Sequence, residues 1–192
     1  MDVIGFHFYV TPKSPEAMVR LIEKVKRVME QKGAGRKPLW NTETGWSDPK
    51  PFPSEERAAA YLARAFVLSW AAGVERFYWY AWDNHVWVSL RTTETDSKTL
   101  TAAGRAYETI SRWLVGARLE GCEEDRTHTW VCRLERDGVA QWMVWNPDGA
   151  KRFGVPESWH ATEATALLGA PEAITGPSIH VDGTPVLVLS QH

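Results

Sequence analysis

The sequence has little net charge, with 22 lysine and arginine residues against 24 aspartate and glutamate residues. A formal charge of -2 provides no basic surface of the kind that binds nucleic acid. No apolar run is long enough to span a membrane, and no repeated or low-complexity tract indicates disorder. The composition therefore predicts a folded chain without a nucleic-acid partner or a membrane span.

Metal-binding residues and cysteines are also scarce. The six histidines are scattered and lack the close pairing that a zinc site needs, so we predict no metal and no cofactor. The two cysteines, Cys122 and Cys132, flank a predicted hairpin and could face each other across it. A disulfide, which suits a secreted protein, and two reduced thiols fit these positions equally well.

The first part of the chain, residues 1–117, alternates β-prone runs with segments of helical spacing. Consecutive β-prone runs start about one βα unit apart. The order βαβαβα predicts parallel strands with right-handed crossovers. The predicted strands are Val3–Val10, Leu39–Thr42 and Val74–Trp82, and the predicted helices run from a Ser14 cap to Lys32-Gly33, from a Ser54 cap to Gly73, and from about Thr101 to Gly116.

The second part, residues 118–192, has a different pattern. Short alternating runs lie between Asp-Gly turns, which predicts a small antiparallel β-sandwich. Its tryptophans Trp130, Trp142 and Trp145 are expected to fill the core, although exposed tryptophans would suit sugar binding. The predicted strands are Thr129–Glu135, Val139–Trp145, Ala164–Leu168 and Pro185–Ser190.

The segment Pro38–Trp46, PLWNTETGW, contains the strongest candidate for chemistry. Glu43 lies at the end of a short strand, and the carboxyl ends of parallel strands open to solvent. His7 and Tyr9 share one face near the end of the first strand, and Trp79, Trp82 and Asp83 end the third. The alternatives are a solvated surface carboxylate and a histidine satisfied within the core.

Three motifs together resemble the C-terminal part of a clan A glycoside hydrolase, a (β/α)8-barrel enzyme of the kind found in families 5 and 39. HFY at His7–Tyr9 is similar to the sixth strand of that clan, WNTETGW to the seventh, and GVERFYWYAWDN at Gly73–Asn84 to the eighth. Thr101–Ala117 is similar to the last barrel helix. The resemblance implies an α/β fold, with part of a TIM barrel over residues 1–117 followed by the β-sandwich.

The resemblance also implies roles for individual residues. Glu43 would be the nucleophile of a retaining mechanism, Tyr9 would hydrogen-bond it and aim it, and His7 would contact a sugar hydroxyl. Trp79 would form the platform under the sugar, with Trp82 as second choice. More distant sugar contacts are expected from loop residues that surface packing explains equally well: Trp46, Trp87, Asp83 and Asn84.

A retaining glycosidase also needs a second carboxyl group, about 5 Å from the nucleophile. In the clan this group ends strand four, whereas the resemblance places the start of this chain at strand six, within a longer protein. We therefore expect the isolated chain to be inactive. The alternatives are a non-catalytic carbohydrate-binding relative and a structural module. The resemblance favours a secreted or periplasmic protein, and the sequence leaves the sugar, the linkage and the oligomeric state open.

Overall fold

The computed structural model describes residues 2–190, and the chain divides into two compact units at Gly104 and Arg105. This division falls inside the last helix, whereas the predicted domain boundary follows residue 117 and stays a prediction. The predicted domain ends Met1 and His192 lie outside the described residues. No helix within residues 2–190 is long and apolar enough to cross a membrane.

The first unit contains a parallel three-stranded sheet with β2 at its centre, in the order β1-β2-β3. Both pairings are parallel, which confirms the strand direction predicted from the βαβαβα order. The mixed α/β class is confirmed as well. The elements are β1 Ile4–His7, α1 Glu16–Gln31, β2 Leu39–Thr44, α2 Glu55–Ala71 and β3 Arg76–Trp79, and α3 Ala102–Leu114 crosses the division between the units.

The ends of the helices follow the sequence signals with one exception. Ser54 caps α2, because its hydroxyl accepts a hydrogen bond from the Arg57 backbone N–H at 3.1 Å. The prediction that Ser14 caps α1 is wrong, since that helix starts after Pro15 and has no side-chain cap. Gly33 ends α1 with a left-handed φ of 71°, which lets its N–H bond to the Glu30 carbonyl.

An ion pair ties α1 to α2. A guanidinium nitrogen of Arg64 lies 3.0 Å from a carboxylate oxygen of Glu16, and the Arg64 side chain is only 3 % exposed. The sequence identified Glu16 only as a favourable charge in the first turn of α1. Its buried partner, 48 positions away, belongs to the core that supports the sheet.

The second unit consists of antiparallel strands in two sheets. Six strands follow the order β4-β5-β6-β11-β8-β9, and two more pair as β10-β7. Residues of both sheets share one hydrophobic cluster, to which Trp142, Val144, Val181 and Val188 contribute. The strands are β4 Arg118–Glu124, β5 Trp130–Arg136, β6 Val139–Trp145, β7 Lys151–Gly154, β8 Ala161–Ala166, β9 Pro171–Ala173, β10 Ser178–Val181 and β11 Val186–Ser190, with a 3-10 helix at Glu157–Trp159.

The tryptophans of the second unit are core residues. Trp130 and Trp145 stack with ring centroids 5.8 Å apart, and both are buried. Trp142 is buried as well and stacks on Trp159 at 4.4 Å. This confirms the core role predicted for Trp130, Trp142 and Trp145.

The two cysteines form a disulfide. Cys122 on β4 and Cys132 on β5 are direct cross-strand partners, with Cα atoms 3.9 Å apart. The structure therefore selects the first of the two alternatives that the sequence left open.

Candidate functional site

Glu43 owes its position to the central strand of the parallel sheet. It lies one residue before the end of β2 and pairs in register with His7, the last residue of β1. The register between these strands shifts at Phe6 and His7, and the β2–β3 register shifts between Asn41 and Thr44. The carboxyl end of the sheet is thus irregular around Glu43, as is common where strands re-aim side chains.

Tyr9 and His7 both approach the same oxygen of Glu43. The Tyr9 hydroxyl donates a hydrogen bond to Glu43 Oε1 at 2.5 Å. His7 Nδ1 lies 3.9 Å from that oxygen, and the side chains of His7 and Glu43 are 55 % and 34 % exposed. The structure therefore brings together three residues that the sequence singled out, at an edge that solvent can reach.

The phenol of Tyr9 is held in its neutral form. Burial raises the pKa of Tyr9 well above its usual value, and the hydrogen bond to Glu43 and the charge of that carboxylate raise the pKa further. Tyr9 consequently remains a hydrogen-bond donor across the physiological pH range. The arrangement fixes one lone pair of Glu43 Oε1.

Two buried polar residues that sequence reasoning missed hold the segment carrying Tyr9 against β2. The Thr44 hydroxyl donates to the Phe8 carbonyl at 2.8 Å, and the Asn41 side-chain carbonyl accepts from the Phe8 N–H at 3.4 Å. Both Asn41 and Thr44 are fully buried. Strands of parallel sheets are normally apolar, so the polar side chains of Asn41 and Thr44 within a predicted strand are the signal that could have indicated this support.

Trp79 belongs to an aromatic stack rather than standing alone. Its ring centroid lies 6.0 Å from that of Trp46 and 6.4 Å from those of Phe66 and Phe77. Trp79 keeps part of its surface exposed, so its role as a sugar platform stays a prediction.

Trp46 is buried in that stack. It is only 1 % exposed, and its indole N–H donates to the Lys13 carbonyl at 2.9 Å. An indole ring without an exposed face cannot stack against a sugar. We therefore assign Trp46 a packing role in place of the predicted substrate contact.

The loop after β3 carries the remaining candidates. Trp82 is 41 % exposed, Trp87 is 68 % exposed, and Asp83 is exposed. The Asn84 side-chain carbonyl accepts hydrogen bonds from the N–H groups of Val86 and Trp87, at 3.0 and 2.8 Å. Asn84 therefore shapes the turn that presents Trp87, a structural use that the sequence did not reveal.

A further group on the sheet was not anticipated. The Arg76 guanidinium lies 4.9 Å from the ring centroid of Trp40, and Trp40 lies 6.4 Å from Tyr78, which is 46 % exposed. These side chains form an aromatic and cationic patch, defined here by Trp40, Arg76 and Tyr78. Their alternation along β2 and β3 could have placed them on one face.

The geometry offers a carboxylate whose hydrogen-bond donor, Tyr9, is fixed in place. Across residues 2–190, no group of three or more histidine, cysteine, aspartate or glutamate side chains is arranged to hold a metal ion.

No protein-family model and no curated protein sequence matches the chain. Several solved structures do match it. The chain is similar over its full length to a glucosidase from Croceicoccus marinus, with a TM-score of 0.68, 11% identity and 54% of that chain covered. It is similar to a GH39 beta-xylosidase from Caulobacter crescentus, with a TM-score of 0.60, 11% identity and 52% of that chain covered. A GH30 endoxylanase from Clostridium papyrosolvens gives a TM-score of 0.59 at 18% identity, with 49% covered.

At these identities the likeness concerns the fold. The chain spans about half the length of these structures. Its structural neighbours are glycoside hydrolases, and this chain has the fold of a part of them.

Proposed function

We propose that this chain forms the C-terminal part of a retaining glycoside hydrolase, with Glu43 as its nucleophile. The observation that carries the proposal is the contact of Glu43 with Tyr9 and His7 at the carboxyl end of a parallel sheet. The glycoside hydrolase neighbours support it, since each is about twice as long as this chain.

In this mechanism a carboxylate oxygen of Glu43 attacks the anomeric carbon, and the bond from that carbon to the leaving oxygen breaks. A carboxylic acid outside this chain donates its proton to the leaving group. The resulting carboxylate then takes a proton from water, which displaces Glu43 and releases the sugar. In this proposal the second carboxyl group, which gives a proton to the leaving group and later takes one from water, belongs to a part of the protein outside this chain.

Tyr9 and His7 serve this chemistry as positioning and binding groups. The Tyr9 hydroxyl donates to Oε1 of Glu43, which leaves Oε2 for the attack. His7 is more than half exposed and lies beside the same carboxylate, so it can reach a sugar hydroxyl. Trp79 and Trp82 are the proposed platforms for the apolar face of the ring.

The test uses the full-length protein and a panel of fluorogenic aryl glycosides. We expect turnover of one or more sugars, and a loss of at least 10³-fold in the Glu43→Gln variant, because the amide cannot form the covalent intermediate. A 2-fluoro glycoside should label Glu43, as detected by peptide mass spectrometry. Glu23→Gln, at an exposed carboxylate on α1, is the matched control. Full activity of Glu43→Gln would refute the proposal.

A non-catalytic carbohydrate-binding protein is the second candidate. The exposure of Trp82 and Trp87 on one loop favours it, because exposed indoles bind sugar rings whether or not cleavage follows. This second candidate would be supported if the full-length protein is well folded, binds a saccharide and cleaves no glycoside in the panel.

A further inference from the structure

Tyr80, the first residue after β3, connects the strand that carries Glu43 with the loop that carries the exposed indoles. Its backbone N–H donates to the carbonyl of Thr44, the residue after Glu43, at 2.7 Å. Its own carbonyl lies so close to Gly45 that a β-carbon there would overlap it. These backbone contacts hold Tyr80 in a fixed place beside the end of β2.

The side chain of Tyr80 is directed away from the aromatic stack around Trp79. The rings of Phe77 and Trp79 lie 4.3 and 6.4 Å from the ring of Phe66 on α2. Because successive side chains of a strand alternate between faces, Tyr80 is placed on the opposite face. Burial and the neighbouring carboxylate raise the pKa of Tyr9, and the charge of Tyr80 raises it further, which fits two phenols that lie near each other.

The hydroxyl of Tyr80 holds the turn at the tip of this loop. It accepts a hydrogen bond from the side-chain amide of Asn84 at 3.3 Å, and the carbonyl of that amide accepts from the N–H groups of Val86 and Trp87. The Lys50 ammonium also donates to the Val86 carbonyl, but it sits on a flexible stem. The rigid connection from the end of β2 to Trp87 therefore runs through Tyr80 and Asn84.

The start of the loop has supports of its own. The hydroxyls of Thr92 and Thr93, two buried residues, both donate to the Trp82 carbonyl. Removal of the Tyr80 hydroxyl is therefore expected to loosen the turn that presents Trp87 and to leave Trp82 in place.

We infer that Tyr80 is a positioning residue, which sets the indole of Trp87 at a fixed place relative to Glu43 so that one sugar chain contacts both. This role rests on the proposed function and deepens it, because the substrate is then a chain that extends beyond the sugar unit at Glu43. An indole on a mobile tip loses part of its binding free energy when the tip becomes ordered. The bond from Asn84 to Tyr80 orders the tip before the sugar binds.

The test uses Tyr80→Phe in the full-length protein, because phenylalanine keeps the ring and removes only the hydroxyl. Binding to soluble xylan, mannan or mixed-linkage β-glucan is measured by affinity gel electrophoresis in the Glu43→Gln background, which prevents cleavage. We expect retardation by at least one polysaccharide, and a dissociation constant about fivefold weaker in Tyr80→Phe, the size expected for one neutral hydrogen bond. With Glu43 intact, KM for that polysaccharide should rise by about the same factor while kcat stays within about twofold. A merely structural role would instead lower kcat together with the melting temperature.

A double-mutant cycle shows whether the hydroxyl acts through Asn84. Asn84→Leu should weaken polysaccharide binding at least as much as Tyr80→Phe, and the second change should add little once the first is made. Tyr78→Phe, which removes an exposed hydroxyl from β3, is the matched control and should bind normally.

Two results would overturn the role of Tyr80. One is a full-length protein that none of the three polysaccharides retards, and the other is retardation that Tyr80→Phe leaves unchanged. Either result, together with aryl glycoside turnover that depends on Glu43, would leave the proposed hydrolase function standing. Conversely, retardation that depends on Tyr80 in a protein that cleaves no glycoside would end the hydrolase proposal and keep Tyr80 as a positioning residue for saccharide binding.

Discussion

Tyr9 and Glu43 are 34 positions apart in sequence, and they meet because β1 and β2 are parallel neighbours whose carboxyl ends coincide. Burial, the hydrogen bond from Tyr9 to Glu43 and the charge of that carboxylate raise the pKa of Tyr9. Because the folded state raises the pKa of Tyr9, it favours the protonated phenol over the phenolate. This contribution to stability is fully present below about pH 10, the ordinary tyrosine value, and is lost as the pH rises through the folded pKa.

We predict that Tyr9 ionises only well above pH 10 when the folded chain is titrated. Phenolate absorbance at 295 nm should show a step well above pH 10 that vanishes in Tyr9→Phe. In Glu43→Gln the step should move to lower pH, because both the hydrogen bond to the carboxylate and its charge are removed. A Tyr9 titration unchanged by Glu43→Gln would show that the contact is absent in solution.

At this level the sequence predicted the grouping of His7, Tyr9 and Glu43, because strand periodicity and the parallel order decide which side chains converge. It did not distinguish an exposed indole from a buried one. Trp46 and Trp82 both follow strands, yet Trp46 is 1 % exposed and Trp82 is 41 % exposed. That difference depends on how the two loops fold back, which local pattern does not encode.

The starts of α1 and α2 show when a serine before a helix acts as its cap. Ser14 and Ser54 are both predicted to cap a helix, but only Ser54 is a capping residue; its extended backbone, with φ of -161°, turns its hydroxyl onto the helix. Pro15 takes the cap position of α1 with a helical φ of -56°. The proline therefore decides the start of α1, and the serine before it is left outside.

We predict that Ser54→Ala lowers the free energy of unfolding by about 1 kcal/mol, because it removes the side-chain hydrogen bond to the Arg57 N–H in this first turn. Ser14→Ala is the matched control and should change stability by less than about 0.5 kcal/mol, the usual range for a surface substitution. Chemical denaturation of both variants measures the difference. Equal effects would mean that neither serine caps its helix.

Gly45, directly after β2, is required for a different reason. A β-carbon at this position would overlap the backbone carbonyl of Tyr80. Backbone cannot move aside as a flexible side chain can, so we predict that Gly45→Ala destabilises the first unit by about 1–3 kcal/mol. Gly154→Ala, where a β-carbon would meet no atom within 4 Å, is the control and should be tolerated. Thermal unfolding of the two variants tests the contrast.

The strands of the second unit were predicted only where their alternation is strong. The predicted runs match β5, β6 and β11 and overlap only the second half of β8, whereas β4, β7, β9 and β10 were not predicted. β4 has seven residues but is mostly polar, RLEGCEE, and the other three are only three or four residues long. So short a strand offers too few positions for a period of two to be recognised. Its existence depends on a partner strand, which is a property of the assembled sheet.

At the scale of the whole molecule, the three-stranded sheet has two edge strands and the chain matches only part of its structural neighbours. It spans about half of each glycoside hydrolase that it resembles, and β1 and β3 each pair on one side only within the described sheet. The patch of Trp40, Arg76 and Tyr78 is correspondingly open to solvent. These features fit a sheet that continues in the remainder of a larger protein, as the proposed function requires.

We therefore predict that the 192-residue chain alone does not turn over any aryl glycoside that the full-length protein cleaves. Glycosidases gain part of their rate from a general acid, and the proposed mechanism draws that acid from outside this chain. A dinitrophenyl glycoside is the critical probe, since its leaving group needs no proton. Slow labelling of Glu43 by this substrate without turnover would fit a nucleophile that lacks its acid. Steady turnover of ordinary aryl glycosides, abolished by Glu43→Gln, would show instead that this chain carries a complete catalytic site.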